Sequence, residues 1–383
     1  MHQTVIFLLF LFIQSAFSAD LLQNSDFETP PLNVPKNSTP PFQLLSENST
    51  IPGWSFEGTV VYVTAGKTVP LPGNGHAIQL VQDSQINQTF IATGDYLHYL
   101  LTFALAPGGQ NCSNNGSIGV SAPDSHADFV YKQRYGKEGW ESYGVYLGSW
   151  EQQESVNLVI QSQETDSDVN STCWPVIDKL FIKAVETLAP GNDNLLLNGG
   201  FEVGPEFMPN STEGILLESA PSPVLSALRQ WSITGTVKYI NSENYFVPQG
   251  NAAVEFVSGV SSGVQTAITV KEGPPYSLEF SLGDANDSCE GNFVVGARAG
   301  PAAQNFTLQS NGTGSAKNVS MVFKADSITA SISFVSYTTT QTKDGIFCGP
   351  VIDNVVLRAS RGIKSAAKWT VLIPLLFLVV VIL

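Results

Sequence analysis

The chain repeats itself. Leu21-Leu22-Gln23-Asn24-Ser25-Asp26-Phe27-Glu28 returns as Leu195-Leu196-Leu197-Asn198-Gly199-Gly200-Phe201-Glu202, and Trp54-Ser55-Phe56-Glu57-Gly58-Thr59-Val60 as Trp231-Ser232-Ile233-Thr234-Gly235-Thr236-Val237. Ala77 to Val81 matches Ala253 to Val257, Tyr99-Leu101-Phe103-Leu105 matches Tyr276-Leu278-Phe280-Leu282, and Cys173 to Asp178 matches Cys348 to Asp353. Five collinear blocks at an offset of about 175 residues are a duplication. Whatever one copy folds into, the chain must build twice.

Each copy reads as all-β. From Tyr276 to Leu282 every second residue is apolar, and Ile328 to Phe334 alternates in the same way, with Thr329, Ser331 and Ser333 on the other parity. Such runs, punctuated by Gly, Pro and Asn, predict a β-sandwich in each copy. The expected organisation is a first sandwich over 19–187, a turn-rich linker over 188–194 and a second sandwich over 195–358, with so short a linker that the domains are closely coupled. Four cysteines allow three pairings. Only Cys112–Cys173 with Cys289–Cys348 preserves the duplication and keeps each bridge within one domain, where it would stabilise a loop of about 60 residues by roughly 4 kcal/mol.

The two ends read as targeting signals. Val5 to Ile13 is an apolar run too short to span a bilayer, and Ala16-Phe17-Ser18 places small residues where signal peptidase reads them, so 1–18 is expected to be removed. Trp369 to Leu383 is fifteen nearly uninterrupted apolar residues, short of the roughly twenty of a spanning helix. Before it lie a polar spacer and Ser360-Arg361-Gly362, the pattern of a glycosylphosphatidylinositol (GPI) signal over 361–383 with Ser360 as the attachment residue. A retained membrane anchor is the competing reading, and both put the protein outside the cell. Eleven Asn-x-Ser/Thr sequons, at Asn37, Asn48, Asn87, Asn111, Asn115, Asn170, Asn210, Asn286, Asn305, Asn311 and Asn318, fit that compartment. Only 13% of residues are charged, and glycans would supply the solubility that charge usually provides. Removing both ends takes three of the 18 cations and none of the 33 acids, leaving a net charge of −18, the wrong sign for gripping nucleic acid.

The Asn-x-x-Phe-Glu start, Val247-Pro248-Gln249-Gly250-Asn251-Ala252-Ala253-Val254-Glu255, and the Cys-Gly-Pro-Val-Ile-Asp end resemble the plant cell-wall proteins of the domain of unknown function 642 family, over nearly the whole mature chain. Trp174, where the family usually has Gly, is a departure, as is a GPI-type tail found in only part of the family. The resemblance implies tandem galactose-binding-like jelly-roll sandwiches in a secreted glycoprotein that associates with wall polysaccharide, cellulose- or pectin-type, and with pectin methylesterase. Related carbohydrate modules hold a structural calcium near the Glu of the first strand and the Asp of the last, which here would be Glu28 with Asp178 and Glu202 with Asp353. The other role for these acids is to cap turns or accept backbone hydrogen bonds.

Catalysis has little to stand on. Gly259-Val260-Ser261-Ser262-Gly263 fits a nucleophile-elbow pattern but sits between two strand patterns, and no His falls in the second copy. The paired acids, repeated at the ends of both copies, suggest scaffold more than a glycosidase cleft. Sugar binding would use aromatic faces. Trp54 and Trp231 recur in both copies and read as core, whereas Trp140, Tyr143, Tyr146 and Trp150 cluster in the first copy alone and are the candidate ligand platform, with Tyr131, Lys132 and Arg134 just before them. At −18 a pectin-wide electrostatic grip is disfavoured, and a neutral glucan or a local basic patch is easier to defend. The expectation is a non-enzymatic wall-binding protein, with a protein-binding surface adaptor or co-receptor as the alternative and a glycan-active enzyme behind both.

Overall fold

The computed structural model describes residues 21–67, 69–108, 116–163, 174–191 and 194–360. The first copy supplies β1 (Phe42–Leu44), β2 (Ser55–Glu57), β3 (Val60–Thr64), β4 (His76–Leu80), β5 (Gln85–Ile91), β6 (Leu97–Pro107), β7 (Ser117–Ala122), β8 (Ser125–Val130), β9 (Glu141–Trp150), β10 (Ser155–Ser162) and β11 (Pro175–Val185). The second supplies β12 (Ile215–Leu217), β13 (Ser232–Thr234), β14 (Val237–Asn241), β15 (Ala252–Phe256), β16 (Gly263–Thr269), β17 (Pro275–Gly283), β18 (Glu290–Ala299), β19 (Ala302–Asn311), β20 (Ala316–Lys324), β21 (Thr329–Ser336), the short pair β22 (Thr340–Gln341) and β23 (Phe347–Cys348), and β24 (Val351–Ala359). From β4 and β15 onward the chain steps between a front and a back sheet, the jelly-roll pattern, with both strands of the hairpins β7–β8 and β18–β19 in the back sheet, so each copy is a two-layer sandwich.

The back sheets stay separate, in the orders β2-β5-β10-β7-β8 and β13-β16-β21-β18-β19. The front sheets do not. The order β1-β3-β4-β11-β6-β9 runs on through β12-β14-β15-β24-β17-β20 as one 12-stranded sheet, because β9 pairs in parallel with β12, Ser142 opposite Ile215 and Tyr143 opposite Leu216. Gly144 permits this approach: a Cβ there would come within 2.7 Å of Leu217 and 2.8 Å of Pro205. The seam is further tied by Thr102 Oγ1 donating to Glu206 O (2.8 Å), the Lys137 amide to Glu213 Oε1 (2.8 Å) and the Phe347 amide to Arg134 O (2.8 Å). Leu216 and Val257 of the second copy are packed into the core of the first. The short linker predicts coupling; a shared sheet is tighter than coupling through a linker.

The motif that opens each copy is a plug. Asn24 and Asn198 take φ of 49° and 51°, and Phe27 and Phe201 both take 53°. The Asn carbonyl receives the indole N–H of Trp54 or Trp231, and the Phe carbonyl receives the hydroxyl of Tyr62 or Tyr239. Phe27 and Phe201 are fully buried against those same tryptophans, at centroid distances of 5.5 and 5.3 Å. Each plug then meets a bulge in the last strand, where the Leu180 and Val355 amides donate to Ser25 O and Gly199 O. Recurrence of these blocks therefore marks scaffold.

Inward parity along β17 buries Tyr276, Leu278, Phe280 and Leu282 as the alternation predicts. Along β21 the buried residues are Ala330, Ile332 and Phe334, whereas Ile328 lies before the strand and is 70% exposed. Cys289 and Cys348 are bridged, with Cα atoms 5.9 Å apart. Cys112, Cys173, Asn111, Asn115, Asn170 and both terminal signals lie outside the described residues. Of the eight sequon asparagines within them, Asn37, Asn48, Asn210, Asn286, Asn305, Asn311 and Asn318 are exposed and Asn87 is half-buried.

Candidate functional site

The aromatic cluster expected to form a ligand platform is core. Trp140, Tyr143, Tyr146 and Trp150 are all buried, Tyr143 completely. They lie on or beside β9: Tyr143 and Trp150 join the core of the first sandwich, while Trp140 and Tyr146 face the other way and are covered by residues of the second copy at the seam. Tyr143 stacks on Phe103 and donates its hydroxyl to Val130 O and Glu141 Oε2; Trp150 donates its indole N–H to Asp124 Oδ2. Tyr146 lies under the Arg229 guanidinium at 4.9 Å, and Trp140 packs with Met208 across the seam. Tyr131 is likewise buried, and Lys132 pairs with Glu218 at 3.6 Å. None of these ring faces is open to a sugar.

The acids placed for calcium act as hydrogen-bond acceptors. Glu28 takes the His76 amide at 2.8 Å and faces its ring Nδ1 at 2.9 Å; Glu202 takes the Asn251 amide at 2.9 Å. Asp353 Oδ2 accepts from the Gln249 amide at 2.8 Å and Oδ1 from the Asn354 amide at 2.5 Å, while Asp178 Oδ1 accepts from the Lys179 amide at 2.7 Å and its Oδ2 has no hydrogen-bond partner among the described residues. Burial pushes the Asp353 carboxyl up to about 7 and the Asp178 carboxyl well above its usual range, against the opposing pull of those amides. Burial alone would also raise Glu28, but the His76 bonds hold it below its usual value. No group of three or more His, Cys, Asp or Glu among the described residues is gathered to hold a metal ion.

Ser261 and Ser262 sit in the turn between β15 and β16, and Ser262 Oγ donates to Gly259 O at 2.6 Å instead of facing a base. His76, His98 and His126 all belong to the first copy.

An open aromatic does exist, on the outer face of the second back sheet. Outward parity along β21 runs Ser331, Ser333, Val335 and on to Tyr337, just past the strand end. Tyr337 is 52% exposed. Its ring fills the space over Gly296 on β18, where a Cβ would meet Cε2 at 2.6 Å and Cζ at 2.8 Å. With Gln265 from β16, Arg298 from β18 and Asn305 from β19 it lines a cleft of about 370 Å³. A half-open ring beside amide, hydroxyl and guanidinium groups is what a pyranose needs, since its C–H face packs on the ring and its hydroxyls bond to the rim. The first copy carries Gln163 at the matching place over Gly119, and there Gln163 Nε2 donates to Asp128 Oδ1 at 3.1 Å, with His126 Nε2 3.0 Å from the same oxygen. That face satisfies itself, and the ring it carries beside Gly119 is the His126 imidazole, tied to Asp128.

Two other clefts differ in kind. One of about 390 Å³ at the seam is lined by Asp124, Asp128 and Glu218 under Leu225, and one of about 800 Å³ reaches Trp54, which is buried and plugged. The family model described as "Protein of unknown function (DUF642)" matches the chain twice, over residues 20–183 and 194–358. The chain belongs to the DUF642 family. Among DUF642 relatives, Protein DUF642 L-GALACTONO-1,4-LACTONE-RESPONSIVE GENE 2 of Arabidopsis thaliana is 32% identical over 377 residues, covering 94% of this chain and 98% of the relative. Protein TEEBE of the same plant is 30% identical over 379 residues, covering 94% and 99%. Among solved structures, this DUF642 chain is similar to TmCBM61 in complex with β-1,4-galactotriose (14% identity, 44% of this chain and 99% of that one, TM-score 0.29). It is also similar to the CBM22-1-CBM22-2 tandem domain of Paenibacillus barcinonensis Xyn10C (12% identity, 83% and 98%, TM-score 0.28). The Tyr337 face was missed from sequence because a lone Tyr after an alternating strand reads as loop. Its signal was parity: Tyr337 continues the polar side of β21, where an aromatic has no core to join.

Proposed function

We propose that this DUF642 protein is a non-catalytic, extracellular glycoprotein that binds neutral wall polysaccharide through the outer face of its second back sheet and is held at the outer leaflet by a GPI lipid on Ser360. The observation that carries the reading is Tyr337, half exposed over Gly296 in a bed of polar side chains. The net charge favours a neutral backbone over de-esterified pectin.

The test uses residues 19–360 made in a bacterial periplasm, where disulfides form and no N-glycan is added, against cellulose, xyloglucan, β-1,4-galactan and homogalacturonan. Retention on a neutral polymer that falls about tenfold in Tyr337→Ala, at unchanged melting temperature, is the expected result. Silence on every polymer, or equal retention by the variant, refutes it. Release of a cell-surface pool by phosphatidylinositol-specific phospholipase is expected for the anchor, and a pool that stays membrane-bound refutes it.

A second reading, an adaptor for a protein such as pectin methylesterase, draws on the loop at the seam cleft, where Val224 and Leu225 are 55% and 60% exposed. Co-sedimentation with pectin methylesterase that is lost in Leu225→Asp would favour it; no co-sedimentation counts against it.

A further inference from the structure

The sequon Asn305-Phe306-Thr307 lies on the same sheet face as Tyr337. Phe306 points inward and meets Phe280 edge to face at 5.2 Å, so Asn305 and Thr307, one position to either side, turn outward, and both are exposed. Across the sheet Asn305 is the register partner of Gly296, the residue whose missing side chain makes room for the Tyr337 ring. Directly opposed residues in an antiparallel pair have Cα atoms about 4.5–5.5 Å apart. The Asn305 amide nitrogen therefore starts within about one side-chain length of the ring, inside the same cleft.

We propose that the N-glycan on Asn305 lays its first N-acetylglucosamine on Tyr337, so that the protein's own sugar closes the platform and an empty sequon leaves it open. The glycan arrives by ordinary transfer. The Asn305 amide nitrogen bonds to the anomeric carbon of a lipid-pyrophosphate-linked oligosaccharide and gives up a proton, and the lipid pyrophosphate departs. Once attached, the proximal sugar competes with any external pyranose for the ring at the effective concentration of a tether only one side chain long. The inference rests on the sugar-platform reading above and specifies how that site is regulated. In the first copy the back sheet also carries a sequon, at Asn87 on β5, but its register partners are Ser55 and Val159, and the place that matches Tyr337 is held by Gln163 over Gly119, two strands away.

The experiment compares the full chain secreted from plant cells with Thr307→Val, which removes the sequon and leaves Asn305 in place, and with Tyr337→Ala. Glycopeptide mass spectrometry reads occupancy at Asn305, binding to the neutral polymers reads access, and the proton shift of the Asn305-linked N-acetyl methyl reads stacking directly. Expected are an occupied site, an upfield methyl shift lost in Tyr337→Ala, and binding about tenfold tighter in Thr307→Val than in wild type. An unoccupied site overturns the proposal. A methyl shift identical in wild type and Tyr337→Ala, or equal binding by wild type and Thr307→Val while Tyr337→Ala loses binding, overturns self-masking and leaves the platform standing. If no form binds any polymer but the methyl shift responds to Tyr337→Ala, stacking holds and the external-ligand reading fails instead.

Discussion

Asp353 makes stability depend on pH in a direction opposite to the usual behaviour of a surface carboxylate. The side chain is fully buried, and burial pushes its carboxyl from an ordinary 3.8 up to about 7 despite two backbone amides at 2.8 and 2.5 Å. The folded-state value lies above the unfolded one, so between about pH 4 and 7 the folded chain holds a proton that the unfolded chain has released. Its contribution is fully present below the unfolded pKa and is lost as pH rises through the folded one. At 1.36 kcal/mol per pKa unit, a displacement of about three units amounts to about 4 kcal/mol between pH 4 and 8. Asp353→Asn removes the titration and preserves the shape. Urea unfolding of both proteins at intervals from pH 4 to 8 gives the free-energy difference at each pH. That difference is expected to move by about 4 kcal/mol in favour of the variant as pH rises, whatever constant cost Asn imposes on one of the two amides. A difference constant across the range would show that Asp353 does not titrate there and would sink the argument. Asp178, its counterpart in the first copy, and Glu255, which burial pushes up to about 8, shift in the same direction, so the wild-type curve should fall more steeply than Asp353 alone accounts for.

Replacing Cys348 by Ala opens a loop with a sequence separation of 59, and denaturant titration should find a loss of about 4 kcal/mol on the chain-entropy model; a loss under about 1 kcal/mol would mean the cross-link constrains little. Gly144→Val places a side chain against Leu217, Pro205 and Ile215, parting β9 from β12, and scanning calorimetry should resolve one cooperative transition into two; a single unshifted transition would argue that the shared sheet does not couple the copies.

Much of the scaffold was legible because duplication filters sequence. Residues present in both copies, such as Asn24 and Asn198 or Trp54 and Trp231, serve the same plug twice, and period-two alternation located the central strands correctly. The acids Asp178 and Asp353 were also flagged by recurrence, and in both copies they accept the amide of the next residue, Lys179 or Asn354, which takes a positive φ of 52° or 49°. Recurrence does not distinguish that duty from ligation, since a bulge cap and a metal ligand are equally repeatable. The candidate site was not legible for the converse reason: Tyr337 has a Gln at its matching place and so carried no repeat signal.

The same logic explains why the aromatic cluster of the first copy misled. β9 and β20 are matching strands, Tyr143 pairing with Phe103 as Val319 pairs with Phe280, and Tyr146 standing where Val322 stands. A sequence difference between matching strands reads naturally as gained function. Here the difference is one of position in the sheet. β9 is flanked by β6 and β12, and Val203 and Arg229 of the second copy lie over its outer face, so its outward residues became a second interior and Tyr146 is buried beneath Arg229. β20 ends the sheet and keeps an edge open to pairing; it carries Lys317, Lys324 and the sequon at Asn318, and leaves Val322 64% exposed. Lysines on a free edge obstruct further strand addition. The head-to-tail joint between β9 and β12 would otherwise invite β20 of one molecule to accept β1 of the next, since these are the matching edges. Aromatics at the internal joint and cations with a sequon at the terminal one are thus two answers to one problem, how to join two copies and then stop.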